Sequence, residues 1–197
     1  VTPSAKGCNK VWELSLASGA SVPLPDESPT TPNVTCRWDV TPPVDLALSG
    51  TDALWTLREK QATLPFDYVL GAGAGSDTRE RRFQEVTHTK RGPGLWLGGI
   101  AGNSVRSDGQ TVGSLVYGVT QVSYVDEIAC LSGGSCEMRI DGGGVYRVVG
   151  RPPATLIPNT RPPVAVAVSG PTLAYVPAEA AGPAGVPVAI ADQPIEI

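Results

Sequence analysis

The cysteines are the residues of this sequence with the best-defined chemistry. There are four of them: Cys8, Cys36, Cys130 and Cys136. Cys130 and Cys136 flank Leu-Ser-Gly-Gly-Ser, whose small residues favour a turn, so we expect the two to face each other at a hairpin mouth and form a disulfide. Cys8 and Cys36 are then the second pair, and their bridge would remove about 3–4 kcal/mol of unfolded-state entropy in the loop-closure model. Disulfides form in oxidising compartments, so this spacing predicts a secreted, periplasmic or cell-surface protein.

A zinc site made by all four cysteines is the alternative to two disulfides. Such sites usually contain Cys-x2-Cys spacing, which neither pair has. The Cys-x-x-Cys motif of cytosolic redox proteins is absent as well. We therefore expect disulfides, with no metal and no cofactor.

Two further features could carry catalysis or bind phosphate. His88 is the single histidine, so a Ser-His-Asp triad or a histidine metal site would need it. It lies in a strand-like stretch, and we interpret it as an ordinary strand residue. The glycine-rich residues 71–76 are similar to a phosphate-binding loop, but a strand-like segment follows them instead of the helix that such loops need. We interpret them as a loop between strands.

The acidic residues offer three weaker candidates. Residues 107–111 contain an Asp-Gly step and resemble the Asp-box turn of sialidase-like propellers, which we interpret as a plain β-turn. Asp126, Glu127 and Asp141 could bind calcium, but the Asp-x-Asp-x-Asp series of calcium loops is missing. Paired carboxylates for glycoside hydrolysis stay open as an alternative, because they could come from distant parts of the chain. The sequence favours no particular pair.

The four tryptophans are the last candidates for a binding site. They are Trp12, Trp38, Trp55 and Trp96. Trp12 and Trp55 lie in strand-like segments, which predicts a place in the core. Trp38 follows Cys36 closely, so we expect it to pack on a disulfide. Stacking of a sugar on one of these rings is the alternative.

Composition and patterning indicate an all-β protein. The 197 residues include 23 Gly and 19 Pro, which interrupt helices and mark turns. Apolar residues alternate with polar ones in short runs, as in half-buried strands, and no apolar run is long enough to span a membrane. The net charge of −4 argues against a nucleic-acid partner. The one basic cluster, Arg79, Arg81 and Arg82 around Glu80, is expected at an exposed sheet edge.

An internal repeat is the strongest signal in the sequence. Residues 42–55 and residues 162–175 align without a gap at an offset of 120, with Pro, Pro, Val, Ala, Ser and Gly in common. Trp55 and Tyr175 coincide in this alignment. A degenerate third copy lies between them, with a first strand over residues 95–102 and Tyr117 in its second strand. The repeat unit is thus about 60 residues, a length typical of propeller blades with several strands each.

The repeat divides the chain into units of one expected domain over residues 1–197. They are a partial blade over 1–40, a blade over 41–92, a blade over 93–151 and a partial blade over 152–197. In the second unit we expect strands over 44–49, 53–58, 66–70 and 82–89. In the third we expect strands over 95–102, 115–125, 136–140 and 145–149, with a tight turn over 141–144. In the fourth, a strand over 186–190 follows the repeat hairpin. In the first, we expect residues 12–16 and 22–24 to be strands three and four of a blade whose first half is absent or is supplied by the C-terminal strands.

At this point the chain resembles bacterial secreted propellers of the TolB-like and WD40-like kind. Three segments carry the resemblance: residues 7–14, residues 35–39, and the Ser-Gly hairpin over residues 46–55. The resemblance implies a β-propeller of four-stranded antiparallel blades, seen in actinobacterial-type proteins. The Gly-His and Trp-Asp signatures of strict WD40 repeats are absent, and no catalytic residue is transferred. About three and a half blades are visible where propellers have four to eight, so we expect an incomplete propeller.

Three functions fit these observations. The first is a non-catalytic secreted or surface propeller that presents loops to a protein or glycan partner. The second is a glycan- or peptide-processing propeller enzyme whose active site lies in blades outside this sequence. The third is a cell-surface β-sandwich binding module, which predicts a disulfide between two sheets and no repeat of about 60 residues.

Overall fold

The computed structural model describes most of the chain as short antiparallel strands. The described residues are 2–3, 9–24, 45–49, 52–59, 66–73, 81–87, 92, 94–107, 110–150, 153–182 and 185–189. One short helix, α1 (Glu127–Leu131), lies within these ranges. None of the helical residues described makes a segment long and apolar enough to cross a membrane. The all-β fold class is therefore confirmed.

The first large sheet is a four-stranded antiparallel meander. Its strands are β4 (Leu46–Ser49), β5 (Asp52–Glu59), β6 (Phe66–Gly73) and β7 (Arg81–Thr87). Each strand pairs with the next one along the chain, in the order β4-β5-β6-β7. Four strands were expected here, close to these bounds. A meander of this kind needs only short hairpin connections, which suits the frequent turn residues.

The second large sheet is also a four-stranded antiparallel meander. Its strands are β8 (Gly94–Ser107), β9 (Gln110–Tyr124), β10 (Met138–Val149) and β11 (Thr155–Leu156), in the order β8-β9-β10-β11. The β8–β9 hairpin extends beyond the first strand expected over residues 95–102 and stays paired as far as Ser107 and Gln110.

The expected tight turn over residues 141–144 is wrong. These residues continue β10, with a bulge between Ile140 and Gly142. Gly143 has a φ of +121°, and a Cβ there would lie 2.0 Å from the carbonyl oxygen of Val119. The glycines therefore let β10 bend against β9, where we had expected them to reverse the chain. The fourth strand of this sheet is accordingly β11.

Three smaller β units complete the described chain. They are the sheet of β1 (Thr2–Pro3), β2 (Asn9–Leu14) and β3 (Ser21–Leu24), the hairpin of β12 (Pro163–Ser169) and β13 (Thr172–Pro177), and the pair β14 (Ala180–Ala181) with β15 (Pro187–Val188). The N-terminal hairpin is confirmed, since Leu14 pairs with Ser21. The strand expected over residues 186–190 is only partly right. Its described part is β15, which pairs with β14 and not with β13, because Gly182 donates to Val186 and turns the chain back.

The sequence repeat corresponds to one hairpin with one register. Leu46 pairs with Trp55 in the first copy, and Val166 pairs with Tyr175 in the second. The degenerate copy has the same pairing, between Ile100 and Tyr117. The three aromatic residues, Trp55, Tyr117 and Tyr175, are all buried. The conserved spacing in the sequence thus records equivalent aromatic positions in the core.

The second large sheet is covered on both faces, and its two faces form separate core clusters. One cluster joins it to the first large sheet and consists of Leu54, Val69, Phe83, Leu95, Tyr117, Val119 and Val148. The other, made of Val116, Val145 and Tyr175, joins it to the β12–β13 hairpin. The first strand of each unit lies beside the next, since β8 contacts both β4 and β12. Successive four-stranded meanders packed in this way have the local arrangement of propeller blades.

Candidate functional site

Several of the residues considered for chemistry lie outside the described ranges. They are Cys8, Cys36, Trp38, Arg79, Glu80 and His88. The backbone of Trp12 lies in β2, but its side chain is likewise outside them. Of the residues that are described, no three His, Cys, Asp or Glu side chains come together in a group that could hold a metal.

Two carboxylates that the sequence analysis missed, one half-buried and one buried, bind the backbone of β8. Asp45 accepts hydrogen bonds from the N–H groups of Leu97 and, at 2.9 Å, Leu46. Asp67 accepts one from the N–H of Leu95 at 3.1 Å. Because Leu95 and Leu97 are two residues apart on one strand, the carboxylates satisfy the same edge of β8. The first large sheet is therefore joined to the second by polar contacts as well as by its apolar core.

Burial and hydrogen bonding act in opposite directions on Asp45. Desolvation raises the pKa of its carboxyl above the usual 3.8, and the bonds from Leu97 and Leu46 lower it again in part. A signal for this residue existed in the repeat, because Asp45 aligns with Ala165 of the second copy. A charged residue at a position that is otherwise small and apolar marks a specific contact.

A cleft of about 210 Å³ opens where β4, β8 and β12 meet. Its lining consists of Asp45, Trp96, Leu97, Gly98, Pro163, Val164, Val186 and Pro187. Among the described residues of this lining, Asp45 is the one ionisable group, and both of its oxygens already accept backbone N–H groups. The cleft is better described as the joint between the sheets.

The joint with β12 is formed by glycines. A Cβ at Gly98 would lie 2.5 Å from the carbonyl oxygen of Pro163, and a Cβ at Gly118 would lie 2.3 Å from its Cγ. The hydroxyl of Thr120 donates to the Pro163 carbonyl at 2.9 Å. Pro163 is fully buried as a result. The proline of the sequence repeat is thus a docking residue for the neighbouring sheet.

The aromatic side chains belong to the core. Trp55 is 0% exposed, as its strand position predicted, which leaves no ring face for a sugar. Tyr117 stacks on Tyr146 at 5.7 Å and meets Phe83 edge-on, while its hydroxyl donates to Gln84 at 3.3 Å. Burial raises the pKa of the Tyr117 hydroxyl far above its ordinary value. This group therefore stays protonated and serves packing.

Two arginines of the basic cluster, Arg81 and Arg82, lie on β7, the outermost strand of the first large sheet, and the side chain of Arg82 is described. Its guanidinium lies 4.2 Å from the ring of Tyr68 and forms an ion pair with Glu85 at 2.9 Å, with both charged side chains about half exposed. This is the protected sheet edge that was expected, and exposed pairs of this kind contribute little to stability.

The Cys130–Cys136 pair is bonded as expected, but its surroundings differ from the expected hairpin. The two Cα atoms are 4.4 Å apart. Cys130 lies in α1, and Cys136 lies in the segment before β10. A helical turn forms here because the Asp126 carboxylate caps it, accepting from the N–H of Ala129 at 3.0 Å. Asp126 is therefore a helix cap.

Helix α1 lies at the surface of the described chain. None of its five residues is buried, and the side chains of Ile128 and Leu131 are 81% and 65% exposed. Exposed apolar side chains on a fixed loop are a common feature of protein-binding surfaces. Among the described residues, this loop combines exposed apolar side chains with a disulfide that fixes its backbone.

Comparison of the chain with known protein families, with curated proteins and with solved structures finds no match.

Proposed function

We propose that this chain is a non-catalytic binding scaffold of propeller-like blades that works in an oxidising compartment and presents loops to a protein or glycan partner. The two four-stranded meanders, packed in series with a third hairpin, support the propeller-like arrangement. The local bridge between Cys130 and Cys136 supports a secreted, periplasmic or surface location. It lies within one loop, which favours blades over an Ig-like sandwich, whose disulfide joins two sheets.

The observation that carries this proposal is the contrast between the carboxylates and the exposed loop. The carboxylates of Asp45 and Asp67 accept backbone N–H groups of β8 and hold the sheets together. The α1 loop, in contrast, is held by a disulfide and a helix cap and buries none of its helical residues. A loop that is fixed but adds nothing to the core is suited to recognition.

The test is to combine a binding screen with an activity screen on the full chain, oxidised and folded. We expect saturable binding to a defined protein or glycan from an array of extracellular candidates, and no turnover of glycoside or peptide substrates. Turnover by the purified chain would contradict the proposal. So would an array without any saturable ligand.

A further inference from the structure

We propose that the α1 face is a docking site for a basic, apolar segment of a partner protein. We define the α1 face as Val125, Ile128 and Leu131, together with the groove beside the Cys130–Cys136 bridge. This inference rests on the proposed function, since it names the surface and the class of partner through which the scaffold would bind. Four observations carry it: exposure, rigidity, charge and an adjoining groove.

The apolar side chains of the α1 face are not explained by folding. Ile128 and Leu131 are spaced three residues apart, so they lie on one side of the helical turn. Val125, just before the helix, is exposed as well. Such side chains lose their contact with water only when another molecule covers them, which makes them suitable anchors.

Four contacts fix the loop that carries these anchors. The bridge joins Cys130 to Cys136, and the Asp126 cap holds the first turn. The N–H of Gly134 donates to the carbonyl oxygen of Ala129 at 2.9 Å. The N–H of Val125 donates to the carbonyl oxygen of Glu137, also at 2.9 Å. Both ends of the loop are thereby tied together. A partner would not have to order this loop on binding, which lowers the entropic cost of association.

The negative charge of the loop that carries α1 indicates the chemistry of the partner. Between Val125 and Met138 the sequence contains three carboxylates, Asp126, Glu127 and Glu137, and no Lys, Arg or His. The complementary surface is apolar with basic residues at its rim. The same charge disfavours a membrane, because the anionic lipids of biological surfaces repel it. A protein segment that alternates apolar and basic residues fits both properties.

An open groove of about 620 Å³ adjoins the bridge and gives such a segment room. One wall consists of Ser135, Cys136, Glu137 and Met138, and the other consists of Ala181 and Gly182 next to β14. Glu137 belongs to both the groove and the acidic rim. A partner segment lying along the groove would therefore place a basic side chain near Glu137.

The experiment measures binding of a leucine–lysine amphipathic peptide to the oxidised full chain by fluorescence anisotropy. A peptide of the same pattern with glutamate in place of lysine is the charge control. The variants are Ile128→Ser/Leu131→Ser for the anchors, Glu137→Gln for the rim and Leu16→Ser as the matched control. Leu16 is 94% exposed in the β2–β3 turn, so its substitution changes exposed apolar surface elsewhere.

We expect the affinity of the lysine peptide to exceed that of the glutamate peptide by about tenfold or more, and to fall as the salt concentration rises. Ile128→Ser/Leu131→Ser should weaken lysine-peptide binding by about tenfold or more, and Glu137→Gln by a few-fold. Leu16→Ser should leave it unchanged. Equal binding by the Ile128→Ser/Leu131→Ser variant, or equal binding of both peptides, would overturn the proposal. Stronger association with phosphatidylcholine–phosphatidylglycerol vesicles than with the lysine peptide would also overturn it, in favour of a membrane.

The same variant separates this inference from the proposed function. If an array ligand of the full chain is bound equally well by Ile128→Ser/Leu131→Ser, the scaffold function stands and the α1 face is not its binding site. If the chain shows enzymatic turnover instead, the proposed function fails by itself. Circular dichroism of each variant verifies folding, which we expect to be retained because neither α1 side chain is buried.

Discussion

The joint around β8 and the α1 face depart from ordinary patterning in opposite ways. At the joint, the carboxylates of Asp45 and Asp67 and the hydroxyl of Thr120 lie where apolar packing would be expected. At the α1 face, Ile128 and Leu131 lie in solvent where polar residues would be expected. These three groups are hydrogen-bonded to backbone, and the two carboxylates satisfy N–H groups of the edge strand β8 that packing alone would leave unpaired. The apolar groups outside have no such structural use.

The difference assigns separate roles to the two regions. Substitutions at the joint should change stability, because they act on the contacts between sheets. Substitutions at the α1 face should change binding, because α1 contributes nothing to the core. Each of the following predictions can break this division.

The largest effect is expected for Gly98→Ala at the joint. The new Cβ would lie 2.5 Å from the Pro163 backbone, which must move, so we expect a loss of about 3 kcal/mol in the free energy of unfolding. Urea denaturation measures this loss. Gly113→Ala is the matched control, since nothing lies within 4 Å of its added Cβ, and it should cost no more than about 1 kcal/mol. Similar losses for the two variants would show that the close approach of Pro163 is unimportant.

A smaller loss is expected from Cys130→Ser/Cys136→Ser. The bridge closes a loop with a sequence separation of 6, for which the chain-entropy model gives about 2 kcal/mol. Because no residue of α1 is buried, part of this would appear as local opening of the loop and not as global unfolding. Hydrogen exchange at the amides of residues 129–134 distinguishes the two. Unchanged protection there would contradict the view that the bridge fixes the loop.

Asp45→Asn should have a modest effect with a defined pH dependence. Burial raises the pKa of Asp45 in the folded protein above its usual 3.8, so the folded state binds the proton more tightly than the unfolded state. The stability that this proton contributes is fully present below about pH 3.8 and is lost as the pH rises through the raised value. The asparagine variant lacks this term. The free energy of unfolding of both proteins should be measured from below pH 3.8 to above the raised pKa. We expect the wild type to lose stability relative to Asp45→Asn as the pH rises. The same pH dependence in both proteins would contradict this role of Asp45.

The smallest effect on stability is expected for Ile128→Ser/Leu131→Ser. Both side chains are largely exposed, so the free energy of unfolding should change by no more than about 0.5 kcal/mol. Thermal and urea denaturation test this. A loss of several times that size would mean that the α1 face supports the fold, and the division between the two regions would fail.

The fold was largely predictable because strand patterning and the repeat are local signals. The alignment of Trp55 with Tyr175 predicted two hairpins, and the structure gives them the same register. The turn over residues 141–144 was not predictable in this way. Three consecutive glycines fit a turn or a bulged strand equally well, and the choice depends on the approach of Gly143 to Val119, a contact with a neighbouring strand.

The site was predictable only in part. The spacing of Cys130 and Cys136 indicated a bridge. The helical turn depends on a single hydrogen bond to Asp126, and the Ser-Gly-Gly-Ser stretch that follows predicted a plain turn instead. The role of Asp67 depends on Leu95, 28 residues further along the chain, and no local pattern reveals such a contact. The exposure of Ile128 and Leu131 is also a property of the tertiary structure, since an apolar pair in sequence ordinarily indicates a core position.

The most direct test of the division is to measure peptide affinity and unfolding free energy together for Ile128→Ser/Leu131→Ser and for Gly98→Ala. We predict that the first variant loses about tenfold or more in affinity for the lysine peptide at unchanged stability. The second should lose stability and, while folded, keep its affinity. An anchor variant that binds the lysine peptide as well as the wild type would contradict the account.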